Sequence, residues 1–309
     1  MDAPAPLPMP DAETLRRSRL IGFALIVAST AFFGLAGIFT KSTAEDVWTI
    51  TWWRGLTGGL IILAYHLWRT RGVATRLRFG LGWRGLLLAG VGSCASIAFI
   101  GSFKLTYVAN VAVVYATAPF MAAALEWAAL GERVRRPTII TACVCLAGVA
   151  IMAIGGMGAG NYLGDALAVL MTLGGAIYLV MIRAFRDTPV MLAGATSAFI
   201  LVALTSCLID PLDVSLNDAM VMSTFGITYA FALILWTEGA KLITAAESGL
   251  LGSAEVPFAV VFSWLILAEL PPPATFIGGS VVLVAVAVYA MRDIMGGRAS
   301  RRRAAKPTV

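Results

Sequence analysis

The chain is poor in charge and nearly lacks histidine. Only 13% of its 309 residues are Asp, Glu, Lys or Arg, while 59% are hydrophobic; soluble domains carry roughly 25% charged residues. One core cannot bury that much apolar surface at this length, whereas a bilayer solvates it directly, so a water-soluble enzyme is excluded. The one histidine, His66, ends an apolar run beside Trp68 and Arg69, where an interfacial anchor fits better than a catalytic or metal-binding group. The four cysteines, Cys94, Cys143, Cys145 and Cys207, lie inside apolar runs. Cys143 and Cys145, two apart on a helix, point to different faces and cannot share a metal, so all four read as packing residues. No G-x-x-x-x-G-K-[ST] phosphate loop is present, which leaves a solute or proton gradient as the energy source. No cofactor, metal or catalytic residue is expected.

What is abundant is apolar sequence in lengths that span a bilayer as helices, about 20 residues each. Ten such stretches occur: 20 to 40, 48 to 67, 85 to 103, 109 to 130, 138 to 156, 163 to 182, 189 to 208, 219 to 238, 246 to 267 and 274 to 291. Links as short as Lys104 to Val108 leave no room for soluble domains. The run from Met1 to Glu13 is Pro-rich and acidic, and the first apolar stretch is too long, and lacks a small-residue cleavage site, to be a signal peptide; it is expected to stay as an anchor.

Lys and Arg set the orientation. With a cytoplasmic N-terminus, 20 of the 23 basic residues fall on the cytoplasmic side, including Arg16, Arg17 and Arg19, the cluster Arg69 to Arg84, Arg133 to Arg136, Arg183, Arg186, Lys241 and the tail from Arg292 to Lys306. Lys41 and Lys104 fall outside, with Arg54 left inside a span. An even number of spans with both termini cytoplasmic follows. The net charge of +6 then reflects topology and contact with anionic lipid, and nucleic acid is not expected as a partner.

An internal repeat carries the most information. Shifting the chain by 137 residues pairs Ile97 with Ile234, Lys104-Leu105 with Lys241-Leu242, Ala109 with Ala246, Ala122 with Ala259, Trp127 with Trp264, Glu132 with Glu269 and Thr138 with Thr275. Apolar composition alone would not align Lys, Trp and Glu together. Each copy holds five spans, an odd number, so the second copy must enter the membrane inverted, which implies a pseudo-two-fold axis in the membrane plane and suits alternating access. The expected fold is an all-α polytopic membrane protein with ten transmembrane helices in two inverted five-helix repeats. Its division is a disordered cytoplasmic tail over 1–19, repeats over 20–156 and 163–291, and a basic cytoplasmic tail over 292–309.

The segment from Lys104 to Met152, KLTYVANVAVVYATAPFMAAALEWAALGERVRRPTIITACVCLAGVAIM, resembles the repeat of the drug/metabolite transporter superfamily, EamA type, and Leu235 to Ala290 resembles its second copy. Gly164-Asp165, opening the sixth span, also fits that family's second half. The resemblance covers residues 20 to 291 and implies ten helices, a central cavity and carriage of small metabolites, often outward. Ala268 stands where the first copy has Gly131, and Glu255-Val256-Pro257 separates a Glu and Pro that many members have adjacent.

Charge at membrane depth costs roughly 2.5–3.5 kcal/mol on insertion scales, so each instance invites a functional reading. Glu255 is the deepest, near the middle of the ninth span. It is expected either to take a proton during transport or to pair with a positive group of the substrate, and a structural hydrogen bond between helices is its plainer alternative. Pro119 and Pro257 are offset by one position in the repeat, and each removes a backbone hydrogen bond, freeing a carbonyl for a cavity. Arg54 invites an anionic substrate or partner carboxylate, against simple snorkelling. Glu247, near the start of the ninth span, reads either as a substrate or proton site or as a cap. Tyr115 and Trp236, with Phe99, Tyr178 and Tyr229, are candidates for a cavity wall or for ordinary packing. Glu126 and Glu238 lie near span ends within reach of water. Lys104 and Lys241 suit helix C-termini, and Gly55 and Gly59 suit close helix packing.

The expected function is secondary transport of a small polar metabolite, an amino acid or related compound, outward across the inner (cytoplasmic) membrane. Uptake of a vitamin-like or nucleoside-like compound is the alternative. A membrane-embedded enzyme or sensor would need a His, Asp or Cys cluster at depth or a soluble domain, and the chain has neither. Partners are the metabolite and the lipid bilayer, with a homodimer left open.

Overall fold

The computed structural model describes residues 12–72, 80–106, 111, 114–131, 134–153, 161–185, 187–267 and 273–304. The described residues form twelve helices and no strand. The first apolar stretch is split at Leu35 into α1 (Ala12–Gly34) and α2 (Ala36–Lys41). Asp46 then caps α3 (Val47–Arg69), accepting from the Thr49 amide at 2.7 Å. There follow α4 (Gly82–Leu105), α5 (Ala118–Leu130), α6 (Arg136–Ala153), α7 (Tyr162–Ala184), capped by Asn161, and α8 (Val190–Ser206). Ser215 caps α9 (Leu216–Ala240), and α10 (Ala245–Gly252), α11 (Glu255–Leu267) and α12 (Pro273–Ala304) complete the chain.

Every expected apolar stretch coincides with one or two of these helices, the fourth only in its described part. Five helical stretches, Glu13–Thr40, Gly82–Leu105, Tyr162–Ala184, Leu216–Ala240 and Glu247–Ile266, are long and apolar enough to cross a membrane, and four shorter apolar helices accompany them. The outer surface is itself apolar: Leu265 is 67% exposed and Val284 61%, as expected where lipid is the solvent.

The helical ends differ from expectation. α1 begins at Ala12, inside the segment read as a tail, because Glu13 in its first turn suits the helix dipole and Arg19 is tied to Glu247 at 2.7 Å. α12 continues beyond residue 291 to Ala304, across the pair Gly296-Gly297. His66, in the last turn of α3, is buried against the bundle, while its neighbour Trp68 is exposed. Among the cysteines only Cys145 packs inside; the other three face outward.

The helix pairings are preserved when the two halves are exchanged. α4 packs on α7 as α9 packs on α1; α3 meets α9 as α8 meets α4; α5 meets α7 as α10 and α11 meet α1. Two further pairs, α3 with α8 and α6 with α12, map onto themselves, and both run antiparallel. In the first, Trp52 donates to Ser206 Oγ at 2.7 Å while Ile62 clusters with Met191 and Ala195. In the second, Thr138 meets the Tyr289 hydroxyl at 2.9 Å while Gly148 abuts Gly278 and Val282. Helices that are counterparts in the two copies thus point in opposite directions, which is the geometry of inverted repeats without reference to any membrane.

The Thr138–Tyr289 contact also joins Glu247, whose Oε1 accepts from the Tyr289 hydroxyl at 3.0 Å. Tyr289→Phe keeps the ring and removes both bonds, so it is expected to lower stability by about 1–3 kcal/mol, read as a fall in thermal unfolding temperature in detergent. Unchanged melting would mean that these bonds add nothing.

Candidate functional site

Both central helices of the repeat are broken at the same register. The α-helical hydrogen-bond pattern is interrupted by tighter turns at residues 116–117 and again at 253–254, positions related by the 137-residue shift. The prolines explain why. Pro119 is the second residue of α5 and Pro257 the third of α11, and a proline amide is missing at no cost in the first turn of a helix but breaks a continuous one. The break therefore falls two or three residues before Pro119 and three or four before Pro257 rather than at the proline. Two half-helix N-termini, at Ala118 and Glu255, are left pointing into the centre of the bundle. Glu255 suits the positive end of the α11 dipole, whereas its counterpart is the uncharged Ala118. The two broken spans meet where a Cβ on Gly249 would stand 3.2 Å from Pro119 Cα, so α5 and α10 approach as closely as glycine allows.

A cavity of about 160 Å3 lies at this junction. Its wall takes residues from both halves: Arg54 from α3, Gly92, Ser96 and Phe99 from α4, Tyr115 and Ala118 at the first break, Thr172 and Tyr178 from α7, Ser197 from α8, Tyr229 and Trp236 from α9, and Glu255 from α11. All five aromatic candidates, Tyr115, Phe99, Trp236, Tyr229 and Tyr178, therefore lie in one wall.

Arg54 does not snorkel. It is 3% exposed, stacks over Tyr229 and Phe225 at 4.4 and 5.3 Å to the ring centroids, and donates from Nη2 to Ser96 Oγ. Its Nε has no acceptor, and among the described residues it forms no ion pair. Glu255 is 8% exposed and shares the cavity wall with Tyr115. Among the described residues neither Arg54 nor Glu255 pairs with a group of opposite charge.

The remaining candidates lie elsewhere. Pro119 and Pro257 are buried behind the wall, shaping the breaks rather than lining the space. Glu247 is 1% exposed and sits away from the cavity, closing a capping box with Thr244 while receiving Arg19 at 2.7 Å. Glu126 pairs with Arg183 at 3.0 Å, and Arg183 Nη1 also donates to the Ile243 carbonyl at 2.6 Å. Lys104 donates to the Thr43 carbonyl at 3.3 Å, and Lys241 pairs with Glu238 at 3.0 Å. Glu132, Glu269 and Ala268 lie outside the described residues. Sequence reading passed over Ser96, Thr172 and Ser197, small polar residues in apolar helices; their only signal was that they recur inside spans that need no hydroxyl.

A model described as the EamA-like transporter family matches residues 20–154 and, a second time, residues 162–291. The chain belongs to the EamA-like transporter family. It is accordingly a multi-pass membrane transporter of the drug/metabolite transporter superfamily. A search of curated proteins gives no match. The crystal structure of another protein superposes with a TM-score of 0.74 at 21% identity, covering 90% of this chain and 98% of that one; at such identity the likeness concerns the fold alone. In this EamA-like transporter, then, the family's two copies are the two halves that share the cavity wall.

Proposed function

We propose that the chain is a secondary carrier with ten membrane spans in two inverted halves, both termini cytoplasmic, moving a small polar metabolite such as an amino acid outward across the inner membrane by alternating access. The observation that carries this reading is the central cavity, shared by both halves and furnished with Arg54 and Glu255, charges whose burial is hard to explain unless a solute answers them. A volume of about 160 Å3 is well under the roughly 300–1,000 Å3 of drug-sized sites and suits a metabolite of amino-acid size.

The charge pattern supports the alternating part of the reading. Two ion pairs with buried carboxylates, Glu126–Arg183 and Glu247–Arg19, sit at the end of the bundle rich in basic residues, the cytoplasmic end by the positive-inside rule. They lock α5 to α7 and α10 to α1. The repeat assigns Ser263 and Asn110 as the counterparts of Glu126 and Glu247 at the opposite end, and neither residue can form an ion pair. Among the described residues these ion pairs thus fall at the end read as cytoplasmic, which supports an outward-facing reading.

The test is flux in reconstituted vesicles against a metabolite panel, at two imposed pH gradients. Accumulation or release of at least one small polar metabolite is expected, and none moving under any gradient would overturn the reading. A reporter fused after Val309 is expected on the cytoplasmic side, and an external reporter would overturn the topology.

A further inference from the structure

Arg54 and Glu255 share one cavity, yet they do not pair with each other. Two opposite charges brought out of water within one small space would ordinarily meet, since the desolvation cost of each is largest when it stands alone. Here the Arg54 guanidinium is fixed between the Tyr229 and Phe225 rings and the Ser96 hydroxyl, with Nε free, and Glu255 enters the same wall beside Tyr115 from the first turn of α11. An acid and a base that share one small space without pairing are what a third body carrying one charge of each sign would join. A guanidinium presents a fork of donors that matches a carboxylate, and a carboxylate beside aromatic rings accepts an ammonium group. The rest of the wall is largely apolar, which suits the body of such a molecule.

We propose that the cavity is a zwitterion site, in which Arg54 receives the substrate's carboxylate and Glu255 its ammonium group, so that both charges are required for tight binding. The assignment rests on the transport reading above and goes further, because it sets a selectivity rule. Amides and esters lose the Arg54 contact, N-acylated forms lose the Glu255 contact, and molecules bearing one charge leave the other buried and unanswered, which is more costly than a missing contact.

The test uses the full chain in lipid nanodiscs and measures binding by calorimetry for the protein amino acids as a panel. For the tightest binder, two analogues follow: its primary amide, which keeps only the ammonium group, and the matching deaminated acid, which keeps only the carboxylate. Each analogue is expected to bind at least about tenfold more weakly than the amino acid, with larger losses in keeping with an unpaired buried charge. Arg54→Gln should abolish discrimination between amino acid and amide, while Glu255→Gln should abolish discrimination between amino acid and deaminated acid. Arg54→Lys, which keeps the charge but not the fork, should give an intermediate loss and guards against misfolding in the glutamine variant. Equal binding of either analogue, unchanged discrimination in a correctly folded variant, or a panel in which no amino acid binds would each overturn the zwitterion assignment. Vesicle flux of some other metabolite would then leave the transport reading standing, and absence of all flux would remove both.

Discussion

Glu126→Gln is expected to open the end of the transporter at which Glu126 pairs with Arg183, the cytoplasmic end in the proposed topology. The Glu126 side chain is 3% exposed and that of Arg183 11%, with 3.0 Å between Oε1 and Nε, so the pair lies out of water on both sides. Removing one member of such a pair costs about 3–5 kcal/mol because the other charge is left behind. That cost falls on the conformation in which α5 and α7 touch, and it is relieved when the end opens and Arg183 reaches water. A penalty of that size moves a two-state equilibrium by about a hundredfold or more. The measurement is labelling of a Thr172→Cys reporter, on the cavity wall, by a membrane-impermeant thiol reagent supplied from the cytoplasmic face, with the four native cysteines replaced. Labelling is expected to accelerate by at least about tenfold, and Arg183→Gln should act in the same direction. A rate equal to that of the parent reporter would mean that the pair does not hold this end shut.

Gly59→Leu is expected to lower the thermal stability of the bundle sharply. A Cβ at Gly59 would stand 3.0 Å from the Ala198 Cβ and 3.3 Å from the Phe199 ring, and one at Gly55 would stand 3.1 Å from the Ala198 carbonyl oxygen. The α3–α8 crossing therefore has no room for a side chain on this face. Overpacking a tight contact costs typically about 1–3 kcal/mol, and the nearest neighbour of Gly59, the Ala198 Cβ, has no rotamer through which to move away. Gly90→Leu is the control, because a Cβ there meets nothing within 4 Å and the change improves helix propensity. Size-exclusion monodispersity after stepwise heating should separate the two, and indistinguishable melting would show that the crossing is plastic.

Much of this fold was legible in the sequence because hydropathy and charge report directly on the membrane, and the 137-residue shift reports on the second half. Those signals need no tertiary contact to be read. The two breaks were half legible: the prolines marked the right spans, but the break falls before each proline, since the first turn of a helix tolerates the ring that its interior rejects. The candidate site was legible in Glu255, Arg54 and the aromatics as residue types, and their convergence came only with the packing. Arg54 shows the reason. Its sequence neighbours place it inside a span but do not say which side of α3 faces the centre, so snorkelling and inward burial looked alike. The Glu126–Arg183 pair lay further from reach, because its members sit on α5 and α7, spans whose adjacency follows from how the halves interlock. Glu247 was misleading as a cavity candidate for a similar reason: its capping box with Thr244 was foreseeable, its partners Arg19 and Tyr289 were not.

If the Glu126 and Glu247 pairs close the cytoplasmic end as proposed, the two sides of the membrane would measure the same site differently. A solute arriving from outside would meet a cavity already in a receptive state, whereas a solute arriving from the cytoplasm would wait for the Glu126 and Glu247 pairs to part. Its apparent affinity would be weakened by the fraction of time the inward state exists. Identical binding residues would then yield unequal half-saturation concentrations on the two faces, and an outward-working carrier built this way would stay quiet until its cargo had accumulated inside.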